Sequence, residues 1–519
     1  MSLHTYTALQ LREKLNKGET SSVEIVESLY ARADAVDGKV NGYTEQLRRE
    51  ALRDAEACDV ERKNGQSRGL LHGLPLTVKE SIEVRGTETT AGLRARAGKR
   101  VEKDAVTVHL LREAGAIVLG KSNIPQTLLS TESTNALYGT TNNPWNVLRT
   151  PGGSSGGESA LISSGQSPWG VGTDVGGSIR VPAGHTGICG IKPTLHRWSN
   201  IGSTGAVPGQ EFVRSQMGAL ARTTTDLAFL FRSVDSPLHA KLDPEVAPLA
   251  IGDPAQVDTK KIRVGMFETD GYLSPSAAVR RAVREAAAHL RDAGVEVVPY
   301  APPNAENGFL YFIAAMSSDG LYTLERELGG EAILPLLKVM RHVVHLHPAL
   351  RKAAVRALRA MGEDRVARSF EVLGEKRIHE LWSLNFKRIA MIREESAAWT
   401  AAGIDALLCP VYATPAPQHG ATADFAPGAI YTMRYNVMNL PAGVVPVTRV
   451  HASETVREGK QDRLDKRAAS IDEGSAGMPI GVQIVGRPYR EDTIFALMQL
   501  IEERARGGEM FPQTPVDPR

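Results

Sequence analysis

Leu74-Pro75-Leu76-Thr77-Val78-Lys79 is a short apolar run that ends on a charge, and Ala116-Ile117-Val118-Leu119 is a second such run. Residues 105–114 between them read as a helix. Strand–helix–strand order with a helical crossover predicts a parallel sheet covered by helices. The pattern returns further on, where residues 261–266 and 295–300 bracket a helix over 274–293. Ala406-Leu407-Leu408-Cys409, Val444-Val445-Pro446-Val447 and residues 480–485 add strands, and residues 491–505 read as a closing helix. These runs extend almost end to end, and no fixed-period repeat interrupts them. The expected fold is therefore α/β, one large domain with a central mixed, mostly parallel β-sheet covered by helices on both faces.

Residues 1–66 read as a helical segment packed on that core. Ser21-Ser22-Val23-Glu24 has the form of a capping box, and Val23, Val26, Leu29 and Tyr30 follow at helical spacing. The main domain is expected over 67–510, with a core at 70–200 and a pair of helices at 333–362. The polar, charged stretch 453–477 reads as an exposed loop.

Composition bounds the function. Of 519 residues 42% are hydrophobic and 23% charged, a globular balance. The formal net charge of +2 is too small to argue for a nucleic-acid partner. Cys58, Cys189 and Cys409 are far apart and have neither a C-x-x-C pair nor zinc spacing, which fits a reducing compartment and no metal. The first residues lack a signal-peptide pattern, and no run of about 18 apolar residues occurs. The expected location is the cytoplasm.

Two glycine-serine segments carry the chemistry. Thr150-Pro151-Gly152-Gly153-Ser154-Ser155-Gly156-Gly157-Glu158-Ser159 frees the backbone for unusual conformations and close approach to a ligand. Gly172-Thr173-Asp174-Val175-Gly176-Gly177-Ser178-Ile179-Arg180 sets a run of backbone N–H groups just before a serine, as an oxyanion hole beside a nucleophile requires. A serine hydroxyl needs a base. His185 and His196 follow Ser178, but neither has an acidic residue placed to orient it. Lys79 is the alternative, since burial at the end of an apolar strand would lower its pKa. Bringing a lysine from 10.4 to near 7 costs about 4 to 5 kcal/mol at about 1.36 kcal/mol per pKa unit. Read alone, a strand-end lysine simply reaches solvent.

Together these pieces resemble the amidase signature family, whose marker runs G-G-S-S-G-G, then G-T-D-x-G-G-S-I-R, then G-x-K-P-T. The last appears here as Gly190-Ile191-Lys192-Pro193-Thr194, and Leu440-Pro441-Ala442-Gly443 and residues 478–486 extend the likeness. The resemblance implies that Ser178 is the nucleophile and that Ser154, held by a cis peptide bond and 24 residues earlier, is the bridging serine. It makes Lys79 the base. It implies an oxyanion hole from the backbone N–H groups of Val175, Gly176, Gly177 and Ser178, with Asp174 and Arg180 holding the loop. No cofactor or metal is implied, and the substrate is a small-molecule amide.

Asn123-Ile124-Pro125-Gln126, Asn143-Pro144-Trp145 and Gly156-Gly157-Glu158 resemble the branch of fatty acid amide hydrolases and fungal-type amidases. In that branch Leu128, Leu129 and Ser130 would lie along the substrate channel. In 333–362, Leu336, Met340, Val343 and Val344 recur at helical spacing. Leu350, Ala354, Leu358 and Met361 then oppose Lys352, Arg356 and Arg359. The bland reading is a pair of packing helices with a solvated basic face; the alternative is weak peripheral contact with a membrane. A homodimer is a further option. Two other functions compete: an amidotransferase-type subunit acting on glutamine with a partner, and an α/β-hydrolase elbow at Gly152-Gly153-Ser154-Ser155-Gly156. The elbow needs a buried strand before it, whereas residues 142–151 contain two prolines and several polar groups.

Overall fold

In the computed structural model, residues 2–205, 207–459 and 461–519 are described, and the side chain of Leu336 lies outside the described set. The strands are β1 (Tyr43–Gln46), β2 (Pro75–Lys79), β3 (Ile117–Ser122), β4 (Thr134–Asn135), β5 (Gly139–Thr140), β6 (Trp169–Asp174) and β7 (Cys189–Lys192). They continue with β8 (Gln216–Ala221), β9 (Arg263–Met266), β10 (Glu296–Pro299), β11 (Ala406–Pro410), β12 (Ala442–Arg449) and β13 (Pro479–Gly486). Eleven of them form one sheet in the order β1-β3-β2-β6-β8-β7-β12-β13-β11-β9-β10, and β4 pairs with β5.

The expected strand–helix–strand unit is present: β2 lies parallel to β3, and to β6 on its other side. Far along the sheet β9 lies parallel to both β10 and β11. Between these ends the expectation of a mostly parallel sheet is corrected. Six neighbouring pairs are antiparallel and four are parallel. The reason is insertion. β6 and β7 run the same way, but β8 lies between them and pairs antiparallel with both. β13 separates β11 from β12 in the same manner. Strand–helix–strand order sets direction; it does not decide which strands become neighbours.

Helices cover both faces because successive β12 side chains point to opposite sides. Val444 packs with Ile179 and Ala183 at the helix Arg180–Thr186, whereas Val445 joins the cluster holding Ile494 and Met498 of the helix Glu491–Ala505.

Three local expectations need revision. The segment 1–66 does hold helices, Ala8–Lys17, Ser22–Val40 and Arg48–Lys63, but it also supplies β1, which edges the main sheet antiparallel to β3. It is built into the sheet as well as packed on it. The stretch 453–477 holds a helix, Arg463–Asp472, whose Leu464, Ala468 and Ile471 are buried. Its charges hid that apolar spacing, although Asp462 caps the helix by accepting from the Leu464 and Asp465 N–H groups. The region 333–362 forms the two expected helices, Pro335–His345 and Pro348–Ala360. On the second of them the proposed apolar face is split, with Leu358 buried and Leu350 and Met361 exposed.

Candidate active site

The site lies where β2 and β6 end side by side. Their parallel register, Thr77↔Gly170 and Val78↔Val171, carries Lys79 alongside the end of β6. Lys79 is fully buried. Its Nζ is hydrogen-bonded to Ser154 Oγ at 2.7 Å, to Thr173 Oγ1 at 2.9 Å and to the Thr173 carbonyl at 3.4 Å. Burial pushes the amine from 10.5 down to about 7, against the pull of Asp174, Glu158 and Glu80. A buried lysine with no carboxylate in contact is thus poised to exchange a proton near neutrality.

Both glycine-serine segments are buried apart from half-buried Val175 and Gly176, and they converge on this amine. The Gly153–Ser154 peptide bond is cis, as the family resemblance implied. Ser155 ties the segments together: its N–H donates to the Ser178 carbonyl at 3.0 Å and its Oγ to the Thr173 carbonyl at 3.3 Å. Glu158 lies behind, accepting from Ser122 Oγ at 2.6 Å and from Thr77 Oγ1. Burial raises its carboxyl to about 7.

Asp174 and Arg180 shape the loop that holds Ser178. The Asp174 carboxylate accepts from the N–H groups of Gly177, Ile179 and Arg180 at 2.8, 3.2 and 3.3 Å. It also accepts from Arg180 Nε and Nη2, both at 2.9 Å. Burial alone would raise this carboxyl, yet the guanidinium holds it well below its usual range. The Gly177 N–H belongs to Asp174, while among the described residues those of Val175, Gly176 and Ser178 have no intramolecular partner. Gly177 has φ +126°, and a Cβ there would sit 2.3 Å from Thr432 Oγ1, so only glycine fits.

Ser178 lines a cavity of about 230 Å³ together with Gly153, Val175, Gly176 and Gly177. Leu128, Leu129 and Ser130 line it too. The rest of the wall is mostly apolar, from Phe309, Phe312 and Met316 of the helix Glu306–Met316, through Met340 and Val343, to Phe370 and Leu373. Sequence reasoning missed most of these, although Phe309, Phe312 and Met316 fall at helical spacing. The histidines stay out of the site. His185 is buried, with both ring nitrogens unpartnered and its pKa pushed down to about 3 by burial. His196 is bonded to Arg214 and lies 3.5 Å from Glu245. No strand leads into Ser154 as an α/β-hydrolase elbow requires; residues 141–155 are irregular.

The profile of the family described as Amidase matches residues 24–495, nine-tenths of the chain. The chain belongs to the amidase signature family. It is 34% identical over 504 residues to fatty-acid amide hydrolase 1 of Sus scrofa, covering 95% of this chain and 84% of that protein. The acetamidase of Aspergillus oryzae is 29% identical over 521 residues, covering 95% of this chain and 89% of that protein. Among solved structures a fatty acid amide hydrolase superposes with a TM-score of 0.82 at 25% identity, covering 96% of this chain and 85% of that one. This amidase is therefore an amide hydrolase with the α/β fold of its relatives. Among its described residues no helix is long and apolar enough to cross a membrane.

Proposed function

We propose that this amidase cleaves linear amides of apolar carboxylic acids through an acyl-enzyme on Ser178, with Ser154 and Lys79 relaying the proton. The observation that carries the reading is the 2.7 Å contact between a buried Lys79 amine and Ser154 Oγ, behind an apolar cavity whose wall includes Ser178. Neutral Lys79 takes the Ser154 proton, Ser154 takes the Ser178 proton, and Ser178 Oγ bonds to the amide carbon. Negative charge on the carbonyl oxygen is met by the N–H groups of Val175, Gly176 and Ser178. Ser154 then protonates the departing nitrogen as the C–N bond breaks and recovers its proton from Lys79, which returns to the neutral amine. Water attacks the ester, losing its proton through Ser154 to Lys79, and the acid is released with Ser178 reprotonated.

The wall supports an apolar acyl group, because the charged residue among those lining the cavity is Asp424. A glutamine substrate would bring a carboxylate with no cation there to meet it, which favours stand-alone hydrolysis over an amidotransferase subunit. Peripheral contact of 333–362 with a membrane draws support from Val339, half-exposed on the cavity wall, and from exposed Leu350 and Met361. The test is a panel of primary amides and p-nitroanilides of increasing acyl length. Turnover should need no partner subunit and should improve with chain length, and Ser178→Ala should be inactive on every member. Substantial activity in that variant, or turnover of glutamine alone, would overturn the proposal.

A further inference from the structure

Thr173 has no part in the relay above, yet it supplies two of the three oxygens around the Lys79 amine. This inference rests on the proposed relay and asks what aims its base. A neutral amine carries two N–H bonds and one lone pair, and only an amine whose lone pair faces Ser154 can take the Ser154 proton. We propose that Thr173 is the positioning residue that sets this direction: its hydroxyl and carbonyl oxygens accept the two N–H bonds, leaving the lone pair on Ser154 Oγ.

The geometry points that way. Ser154 Oγ is the shortest contact of Nζ at 2.7 Å, with Thr173 Oγ1 at 2.9 Å and the Thr173 carbonyl at 3.4 Å. A carbonyl oxygen can only accept, so one N–H is committed to it. The second N–H has the Thr173 hydroxyl and the Ser154 hydroxyl as its choices, and the relay works with the first. Thr173 is well fixed for this task. It lies next to the end of β6, opposite Met217 in the sheet, and is buried. Its N–H and carbonyl are both held by Ser155 Oγ, at 3.4 and 3.3 Å. Since Ser155 directly follows Ser154, the segment bearing the bridging serine also holds the residue that aims the base. Thr173 does not line the cavity, so it can act on the relay without touching substrate.

The charged and titratable groups that bear on Lys79 are Asp174 at the end of β6, Glu158 on the helix Gly156–Ser163 and Glu80 after β2. None of them changes in a Thr173 variant. Loss of the hydroxyl removes one acceptor, which weakens the ammonium form more than the neutral amine. The experiment compares Thr173→Val, Thr173→Ala and Thr173→Ser with wild type on one p-nitroanilide, with kcat and KM measured across pH and folding checked by thermal melting. Thr173→Val should lower kcat about 10- to 100-fold, leave KM within about twofold, and move the acidic limb to lower pH. Thr173→Ser should restore both the rate and the limb, which a packing defect would not predict; Thr173→Ala replaces the valine variant if that one melts early. Wild-type kcat and limb in the variants lacking the hydroxyl, a serine variant as impaired as valine, or a valine variant faster than wild type would each overturn the assignment. Lys79→Ala and Ser178→Ala separate the two levels. If either turns over like wild type, the relay itself fails; if both are inactive while Thr173→Val is unimpaired, only the role of Thr173 fails.

Discussion

Replacing Lys79 by methionine should make the protein more stable at neutral pH while abolishing its activity. Burial lowers the folded-state amine from 10.5 to about 7, so between those values the unfolded chain holds a proton that the folded chain has lost. Stability contributed at this site therefore rises with pH across that window and is lowest below it. The full shift corresponds to about 5 kcal/mol at about 1.36 kcal/mol per pKa unit. Methionine matches the length of the lysine stem and removes this cost, but it leaves Ser154 Oγ and Thr173 Oγ1 without their partner, a loss of about 1 to 3 kcal/mol. The net gain near pH 7 is about 2 kcal/mol, and it should shrink by about 3 kcal/mol as the pH approaches about 9.5. Urea unfolding followed by tryptophan fluorescence at both pH values measures it, with the wild type run alongside. If the variant is several kcal/mol less stable at pH 7, or the difference does not change with pH, the amine is charged and paired in the folded state. Lys79 could not then serve as the base.

The wild-type kcat/KM for a p-nitroanilide should fall about tenfold per pH unit below about pH 7, as Lys79 takes up its proton and ceases to be a base; a flat acidic limb would count against it. Asp174→Asn leaves the buried Arg180 guanidinium without its carboxylate and should lower unfolding stability by about 3 to 5 kcal/mol, read by denaturant titration. Gly177→Ala pushes a methyl group to within 2.3 Å of Thr432 Oγ1 at a positive φ, so kcat should drop about 100-fold on every substrate irrespective of acyl length. Val343→Trp, by contrast, fills the cavity away from Ser178 and should raise KM for long-chain amides about tenfold while sparing acetamide-sized ones.

Much of this protein could be read along the chain, because its strongest signals are local. The apolar runs around Leu76, Val118, Leu407 and Ile484 became strands, since a buried strand needs only a few consecutive apolar residues and a turn at each end. Lys79, Ser154 and Ser178 stood out as candidates because the glycines around the serines and the apolar run before the lysine are features of sequence. β6, β7 and β8 were harder to see, as their glycines and polar ends look like loop until neighbouring strands pair with them. The helix Arg463–Asp472 was hidden by its charges, which face outward only once Leu464, Ala468 and Ile471 have a core to enter.

What the sequence determined by itself is the set of chemical groups and the order in which strands and helices follow one another. Tertiary structure alone decided the rest, for three physical reasons. Strand adjacency depends on which chain segment returns to fill a gap, so β8 and β13 turned a parallel pattern into a sheet with an antiparallel centre. Hydrogen-bond ownership depends on which acceptor the fold brings up to a backbone N–H, so the Gly177 N–H donates to the Asp174 carboxylate. The Lys79 amine is pushed down to about 7 by complete burial, and burial is a property of everything packed around Lys79 rather than of the six residues from Leu74 to Lys79.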